Sequence, residues 1–190
     1  MVLRVLSYLL LFTFFASITV VTIVRLHRFK RLVKLPDHQL SRLLELARRS
    51  LESLDVPVGA LLIYHTEIIG EGYNTVLRGS DAGGHAEINA ISDAIKRLGM
   101  ERFTSLERNS LFLVSTFEPC LMCAGAFINY DITRVYFLKE KDTKVLSKEG
   151  ARFIRYYFRR GPMKHAGEQD ALFEQHPGYP LRRVNSDAAR

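Results

Sequence analysis

Hydrophobic and polar residues alternate along the middle of the chain with the periods of helices and strands. Leucine and alanine recur three or four positions apart between Asp37 and Ser53, which predicts an amphipathic helix. Two short apolar runs, residues 58–64 and 67–73, follow closely on each other. Their composition and proximity predict a β-hairpin.

The pattern then predicts four further elements. Helical periodicity runs from His85 to about Gly99, and residues 110–116 form a short apolar run typical of a buried strand. A helix with Pro119 in its first turn and a last strand over residues 134–138 complete the set. The order α-β-β-α-β-α-β predicts an α/β fold in which helices cover both faces of a mixed sheet.

Beyond Lys139 the periodicity weakens. Residues 145–158 predict an amphipathic helix rich in tyrosine, phenylalanine and arginine, whereas the segment from His176 to Arg190 has no regular pattern. We therefore expect residues 142–190 to be a C-terminal extension made of a helix and an irregular tail.

The beginning of the chain is apolar over a length that fits a membrane. No charge occurs between Arg4 and Arg25, and about 20 apolar residues in a helix span a hydrocarbon core of ~30 Å. Residues 1–34 therefore predict a transmembrane anchor with a basic flank. A cleaved signal peptide is the alternative, but here the positive charge lies mostly behind the apolar stretch. Because positive flanks stay on the cytoplasmic side, the rest of the chain is expected to face the cytoplasm.

Composition limits the class of protein. The 190 residues are 47% hydrophobic, which suits a globular domain and excludes a disordered or fibrous chain. The formal charge of +7 is concentrated in two clusters. Each cluster fits a solvated face or a membrane flank, and also a surface for nucleic acid or anionic lipid. Their members are Arg25, Arg28, Lys30, Arg31 and Lys34, and Arg152, Arg155, Arg159, Arg160 and Lys164.

Candidate chemistry centres on Cys120 and Cys123, the only two cysteines. Two thiols three residues apart predict a metal or redox pair in a reducing compartment rather than a structural disulfide. Both sulfurs can point to one side of a helix start, where the helix dipole favours thiolates. His85 opens another helix and supplies a nitrogen ligand, and three such ligands leave the fourth position of a zinc ion open for water. Glu87 is close enough to move protons to and from that water without binding the metal.

Four segments resemble the zinc-dependent cytidine/deoxycytidylate deaminase superfamily. The likeness is closest to the branch of tRNA-specific adenosine deaminases and guanine deaminases. The combination of His-x-Glu with Pro-Cys-x-x-Cys is the most specific part, since it is the signature of zinc deaminases acting on nucleobases. The segments are Val56-Pro-Val-Gly-Ala60, Gly70-Glu-Gly-Tyr-Asn74, His85-Ala-Glu-Ile-Asn-Ala90 and Glu118-Pro-Cys-Leu-Met-Cys-Ala-Gly-Ala126.

The resemblance implies a three-layer α/β/α cytidine-deaminase-like domain, here residues 35–141, that forms a homodimer with one Zn²⁺ per subunit. It also implies that Asn74, Val58 and the backbone of Ala86 line the pocket for the base, although Asn74 also fits an ordinary turn residue. The substrate expected from this branch is a purine-type base, adenine in tRNA or another RNA or in a nucleoside. Guanine or another free base or nucleoside is the alternative.

Two other functions compete with deamination. The domain could be a catalytically silent zinc module that binds a partner at the membrane, but zinc binding alone does not require Glu87. Cys120 and Cys123 could instead form a thioredoxin-like redox pair, a possibility that metal content distinguishes.

Overall fold

The computed structural model describes residues 11–19, 34–161 and 166–176. The chain forms two compact units, divided between Lys141 and Asp142, and each unit is described by itself. The expected division into residues 1–34, 35–141 and 142–190 stays a prediction.

The first unit contains five helices and four strands after residue 34. Short 3₁₀ turns follow the first helix and precede the third strand. In chain order the elements are α1 (Asp37–Ser50), β1 (Gly59–Tyr64), β2 (Glu67–Tyr73), α2 (Val76–Gly79), α3 (Ala86–Leu98), α4 (Met100–Ser105), β3 (Leu111–Phe117), α5 (Leu121–Asn129) and β4 (Val135–Lys139).

The four strands form one mixed sheet in the order β2-β1-β3-β4. β1 is antiparallel to both β2 and β3, whereas β3 and β4 are parallel. The connection from β3 to β4 runs through α5, as a parallel pair requires a crossover. The predicted hairpin and the predicted mixed sheet are both confirmed.

Alternation along β1 divides the core into two layers. Leu61 and Ile63 pack with leucines of α1, whereas Leu62 between them packs with Ile91 of α3 and Phe127 of α5. Because successive strand residues point to opposite faces, α1 covers one face of the sheet and α3 and α5 cover the other. The unit is therefore a three-layer α/β/α domain.

One predicted helix boundary is wrong. Pro119 is not in the first turn of α5, because Cys120 is the N-cap with an extended backbone and the helix begins at Leu121. The Pro119 carbonyl instead accepts a hydrogen bond from the Lys141 ammonium at 3.1 Å. That contact, together with the backbone N–H of Lys141 on the Glu118 carboxylate at 2.8 Å, holds the loop before α5 against the chain that leaves β4.

The second unit consists of two described helices, α6 (Thr143–Arg159) and α7 (Ala166–Glu174). α6 corresponds to the helix predicted over residues 145–158, and the Asp142 side chain caps it by accepting from the backbone N–H of Lys144 at 2.7 Å. The pattern of the sequence does not predict α7. Of the irregular tail predicted from His176 onward, residues 177–190 lie outside the described residues.

Residues 11–19 form a helical segment within the apolar beginning of the chain. Among the residues that the structure describes, no helix has both the length and the hydropathy needed to cross a bilayer. The predicted transmembrane anchor is therefore unsupported by the described residues. Most of it, residues 1–10 and 20–33, lies outside them.

The contact between β2 and α3 requires glycine. A Cβ atom at Gly72 would collide with the carbonyl oxygen of Ala86, the first residue of α3, and with the backbone of Asn89 and Ala90. The missing side chain lets the strand and the helix N-terminus lie backbone against backbone. This close approach sets the position of the residues that open α3.

We expect Gly72→Ala to lower the free energy of unfolding by about 1–3 kcal/mol, because an added methyl group must displace backbone rather than a flexible side chain. Gly125→Ala is the matched control. Nothing lies within 4 Å of a Cβ at Gly125 in α5, so it should raise that free energy by ~0.5–1 kcal/mol through helix propensity. Urea unfolding of the metal-free protein, followed by far-UV circular dichroism, measures both. Equal effects of the two variants would contradict the close approach.

Candidate metal centre and active site

The N-terminus of α3 carries two of the candidate functional residues. His85 is the N-cap, with φ −76° and ψ 145°, and Glu87 is the second residue of the helix. The loop before the helix is held by the backbone N–H of Thr75 on the Gly84 carbonyl at 2.8 Å. The Asn89 side chain adds hydrogen bonds to the Tyr73 carbonyl and to the Thr75 hydroxyl at 2.8 and 3.0 Å. The end of β2 therefore fixes the direction in which His85 leaves the loop.

The N-terminus of α5 carries the other two. Cys120 is its N-cap, half-buried, and Cys123 lies in the first turn, fully buried in the same core cluster as Leu62 and Ile91. Both helices thus present their N-terminal ends, where backbone N–H groups are unpaired within the helix and the dipole is positive. That environment stabilises thiolate sulfur.

Three ligand atoms converge in the structure. His85 Nδ1 lies 3.6 Å from each of the two sulfurs, and the Cys120 and Cys123 sulfurs are 3.6 Å apart. Around a tetrahedral zinc, bonds of about 2.3 Å to sulfur and about 2.0–2.1 Å to nitrogen imply edges of about 3.8 Å between sulfurs and about 3.6 Å between sulfur and nitrogen. The triangle therefore fits one zinc ion, and the structure brings the three predicted ligands together.

A hydrogen bond between the Cys120 and Cys123 sulfurs shifts their pKa values in opposite directions. The hydrogen bond from Cys123 lowers the pKa of Cys120 to about 5, against an opposing effect of burial, and N–H groups at the start of α5 act in the same direction. The same bond, together with burial, raises the pKa of Cys123. A cation that takes both sulfurs as thiolates must therefore displace the Cys123 proton.

Glu87 lies beside the ligands without joining them. Its carboxylate is 3.5 Å from the Cys123 sulfur, and only 4% of the residue is exposed. The Ser115 hydroxyl on β3 donates to the other carboxylate oxygen at 3.3 Å. Burial raises the pKa of Glu87, and this effect outweighs the hydrogen bonds that its own backbone and Cys123 donate to the carboxylate. A raised pKa suits an acid that both accepts and returns a proton.

The three residues expected to line a base pocket are connected to one another and to the start of α3. Asn74 is buried directly after β2, and its backbone N–H donates to the Val58 carbonyl at 3.0 Å and to the Ser50 hydroxyl at 3.1 Å. Val58 packs against a small cluster that contains Ala86 and Ala90. Gly84, which directly precedes His85, is joined to the chain after Asn74, because its carbonyl accepts a hydrogen bond from the backbone N–H of Thr75.

Two further residues, which the sequence motifs do not indicate, hold parts of the site in place. Ser115 looks like one polar residue of an otherwise apolar strand, and nothing near it in the sequence indicates its contact with Glu87. The Asp55 carboxylate accepts hydrogen bonds from the backbone N–H groups of Leu77 and Arg78 at 2.7 and 3.2 Å. These bonds hold α2, the short helix that follows Asn74 in the sequence. Burial opposes the charge on Asp55, but these bonds and one from Ser53 outweigh it, so the pKa of Asp55 is lowered.

Comparison with protein families agrees with the geometry. The family model of the cytidine and deoxycytidylate deaminase zinc-binding region matches residues 36–139, more than half of the chain. The chain belongs to this family. The matched region contains both loops that carry the candidate ligands. The resemblance that the sequence motifs indicate is confirmed.

Two relatives and one solved structure illustrate the similarity. A tRNA-specific adenosine deaminase from Buchnera aphidicola subsp. Schizaphis graminum is 40% identical over 86 residues, 45% of this chain and 54% of that protein. One from Aquifex aeolicus is 37% identical over 91 residues, 48% of this chain and 57% of that protein. The chain spans about half the length of the curated relatives it matches. The X-ray structure of guanine deaminase from Bacillus subtilis matches with a TM-score of 0.50 and 27% identity, covering 67% of this chain and 78% of that chain.

The proton on Cys123 predicts how zinc affinity depends on pH. Since the pKa of Cys120 is about 5 and that of Cys123 is raised, zinc binding above pH 7 should release the Cys123 proton alone. The apparent affinity should then fall about tenfold for each unit by which the pH is lowered from 9 to 7. Competition with a chromogenic chelator of known proton affinity measures it. A flat profile would mean that both thiols are already ionised, and a slope of two would mean that neither is.

Proposed function

We propose that this protein is a hydrolytic deaminase that replaces the amino group of a purine-type nucleobase with oxygen and releases ammonia. The observation that carries the proposal is the buried carboxylate of Glu87 next to the three converging ligand atoms of His85, Cys120 and Cys123. A zinc site that only stabilises a fold has no use for a buried acid whose second oxygen is held by Ser115.

Zinc bound by His85, Cys120 and Cys123 would supply a Lewis acid that lowers the pKa of water toward ~7, which makes a nucleophile available at neutral pH. The chain itself supplies the ligands and limits the access of solvent to them. Cys123 is fully buried and Cys120 half-buried, so bulk water has restricted access to the sulfurs.

Proton transfer falls to Glu87. The carboxylate accepts a proton from the attacking water and donates it to the ring nitrogen next to the amino-bearing carbon, so that the ring C=N bond becomes single as the new C–O bond forms. Glu87 then transfers the proton of the new hydroxyl group to the amino group. The C–N bond breaks, ammonia leaves, and the hydroxyl oxygen becomes the carbonyl of the ring. The raised pKa of Glu87 suits a group that must take up and release protons in turn.

Recognition of the base is assigned to Asn74, Val58 and the backbone of Ala86. An amide side chain donates and accepts hydrogen bonds, as the edge of a purine does. Val58 offers an apolar contact beside the alanine cluster. A pocket of this kind orients a base through a few polar groups in a largely apolar wall.

Adenine in tRNA is the first candidate substrate. It is supported by the relatives that are named tRNA-specific adenosine deaminases. Guanine is the second candidate, favoured by the similarity to the guanine deaminase structure, which covers more of this chain than those relatives do. Salt distinguishes the two classes, because binding through RNA phosphates weakens steeply with salt whereas binding of a free base does not.

A product screen on the full-length, zinc-loaded protein tests the proposal. Mass spectrometry of reactions with tRNA, nucleosides and free bases should detect a gain of oxygen for NH in one class. The Glu87→Gln variant should retain one zinc per chain and lose about 10²–10⁴-fold in turnover, because the amide cannot shuttle protons. Zinc-loaded protein without turnover on any substrate would instead support the silent zinc module, and protein purified without metal would support a redox pair.

We also propose that the apolar beginning of the chain, within residues 1–34, anchors the protein in a membrane, with the domain on the cytoplasmic side and assembled as a homodimer with one zinc per subunit. The anchor is supported by the uncharged stretch between Arg4 and Arg25 and by the basic flank after it. The protein should then stay with membranes during alkaline carbonate extraction. Release into the supernatant would remove the anchor from the proposal.

A further inference from the structure

Helix α6 has two chemically different faces. Its five basic residues fall within an arc of about 80° when the helix is viewed along its axis, at 3.6 residues per turn. Five of its seven large apolar and aromatic residues fall within an arc of about 140° on the other side, and Val145 and Tyr156 lie between the two arcs. The basic arc comprises Lys144, Lys148, Arg152, Arg155 and Arg159, and the apolar arc comprises Leu146, Phe153, Ile154, Tyr157 and Phe158.

The apolar arc is exposed along its whole length. The exposed fraction rises from 40% at Leu146 to 81% at Phe158. Contiguous exposed apolar surface of this kind marks a site that contacts a partner or a membrane. Glu149 is the one acidic residue in the sequence of α6, so the helix carries a net charge of 5 − 1 = +4. A partner that covers the apolar arc must therefore tolerate or attract positive charge.

We propose that α6 lies in the interface of an anionic lipid bilayer. A strongly amphipathic helix with lysine and arginine on one face and aromatic and aliphatic residues on the other buries its apolar face at the boundary between headgroups and acyl chains. Its 17 residues include six that are charged, which excludes a path through the hydrocarbon core. The helix therefore lies along the membrane surface.

Aromatic residues at the C-terminal end of α6 agree with this placement. Tyr156, Tyr157 and Phe158 are consecutive and exposed, and the Arg160 guanidinium lies 4.3 Å from the centre of the Tyr157 ring. Tyrosine has an apolar ring and a polar hydroxyl, so it is favoured where a membrane meets water. Arginine next to it can reach the phosphate layer while its stem stays among apolar groups.

The arrangement favours a bilayer over RNA. Proteins that bind single-stranded nucleic acid place aromatic and basic side chains in one groove, so that bases stack while phosphates are neutralised. In α6 the centres of the basic and apolar arcs lie about 150° apart around the helix axis, so one strand cannot follow both arcs along the helix. A bilayer interface accepts both at once. The inference does not depend on the deaminase chemistry.

A single fluorophore on the apolar arc tests the proposal, because the chain contains no tryptophan. The full-length Phe153→Trp variant is reconstituted in vesicles of phosphatidylcholine brominated in its acyl chains, with or without phosphatidylserine. With phosphatidylserine, the emission should shift to the blue, be quenched by bromine, and recover in high salt. Tyr157→Trp is a second probe on the same arc if Phe153→Trp misfolds. Met100→Trp, at a half-exposed position on α4, should respond to neither lipid.

Charge variants in the Phe153→Trp background separate attraction from folding. Replacing Lys148, Arg152 and Arg155 with glutamine should lower the equilibrium constant for docking roughly a hundredfold, given the contribution of each basic residue near an anionic surface. Arg152→Lys with Arg155→Lys keeps the charge and should dock like the parent.

Three results would overturn the proposal. Equal emission with and without phosphatidylserine would show that anionic lipid has no role. A probe already shielded and unquenched by brominated lipid would show that protein covers the apolar arc. A shift produced by added tRNA and not by vesicles would assign the helix to RNA.

Discussion

The meeting of two helix N-termini on one face of the sheet is the constraint on which the candidate site depends. His85 is the N-cap of α3 and Cys120 is the N-cap of α5. Each helix therefore places a candidate ligand where its first backbone N–H groups have no partner within the helix. Packing keeps the two ends together. Cys123 is a member of the same buried cluster as Ile91 of α3, and a candidate metal ligand is therefore also a residue of the core.

Burial and charge oppose each other at this centre. A buried carboxylate and two adjacent sulfurs are unfavourable together unless protons or a cation compensate them. In the structure the Cys120 and Cys123 sulfurs lie 3.6 Å apart and the Cys123 thiol donates to the Glu87 carboxylate at 3.5 Å, so a thiol proton offsets part of this charge. A divalent cation replaces that proton with a larger positive charge. The polar groups of the site are thus arranged so that three ligand atoms can hold one ion.

The sequence predicted the parts of the site that are local and missed the parts that are not. The ligands and Glu87 follow from short spacings at helix starts, and β1 and β2 follow from two neighbouring apolar runs. Ser115 and Glu87 are 28 residues apart, and no periodicity connects them. The boundary of α5 was misplaced because the Pro119 carbonyl has a tertiary partner, Lys141, that a local rule about proline does not include.

Short helices were missed for a related reason. α2 has a single turn and no apolar period of its own, and it is held by hydrogen bonds to Asp55, 22 residues before Leu77. Such an element exists because of its partner rather than its propensity. Its role is to brace the backbone that follows Asn74, a function that composition does not indicate.

Lys141 supports the loop that carries Cys120 and lies at the boundary between the two units. Lys141 is the last residue of the first unit, and through Glu118 and Pro119 it supports the loop that presents Cys120. The extension is covalently attached to that same residue. A pull on the residues that follow Lys141 would therefore act directly on the contacts that support the loop carrying Cys120.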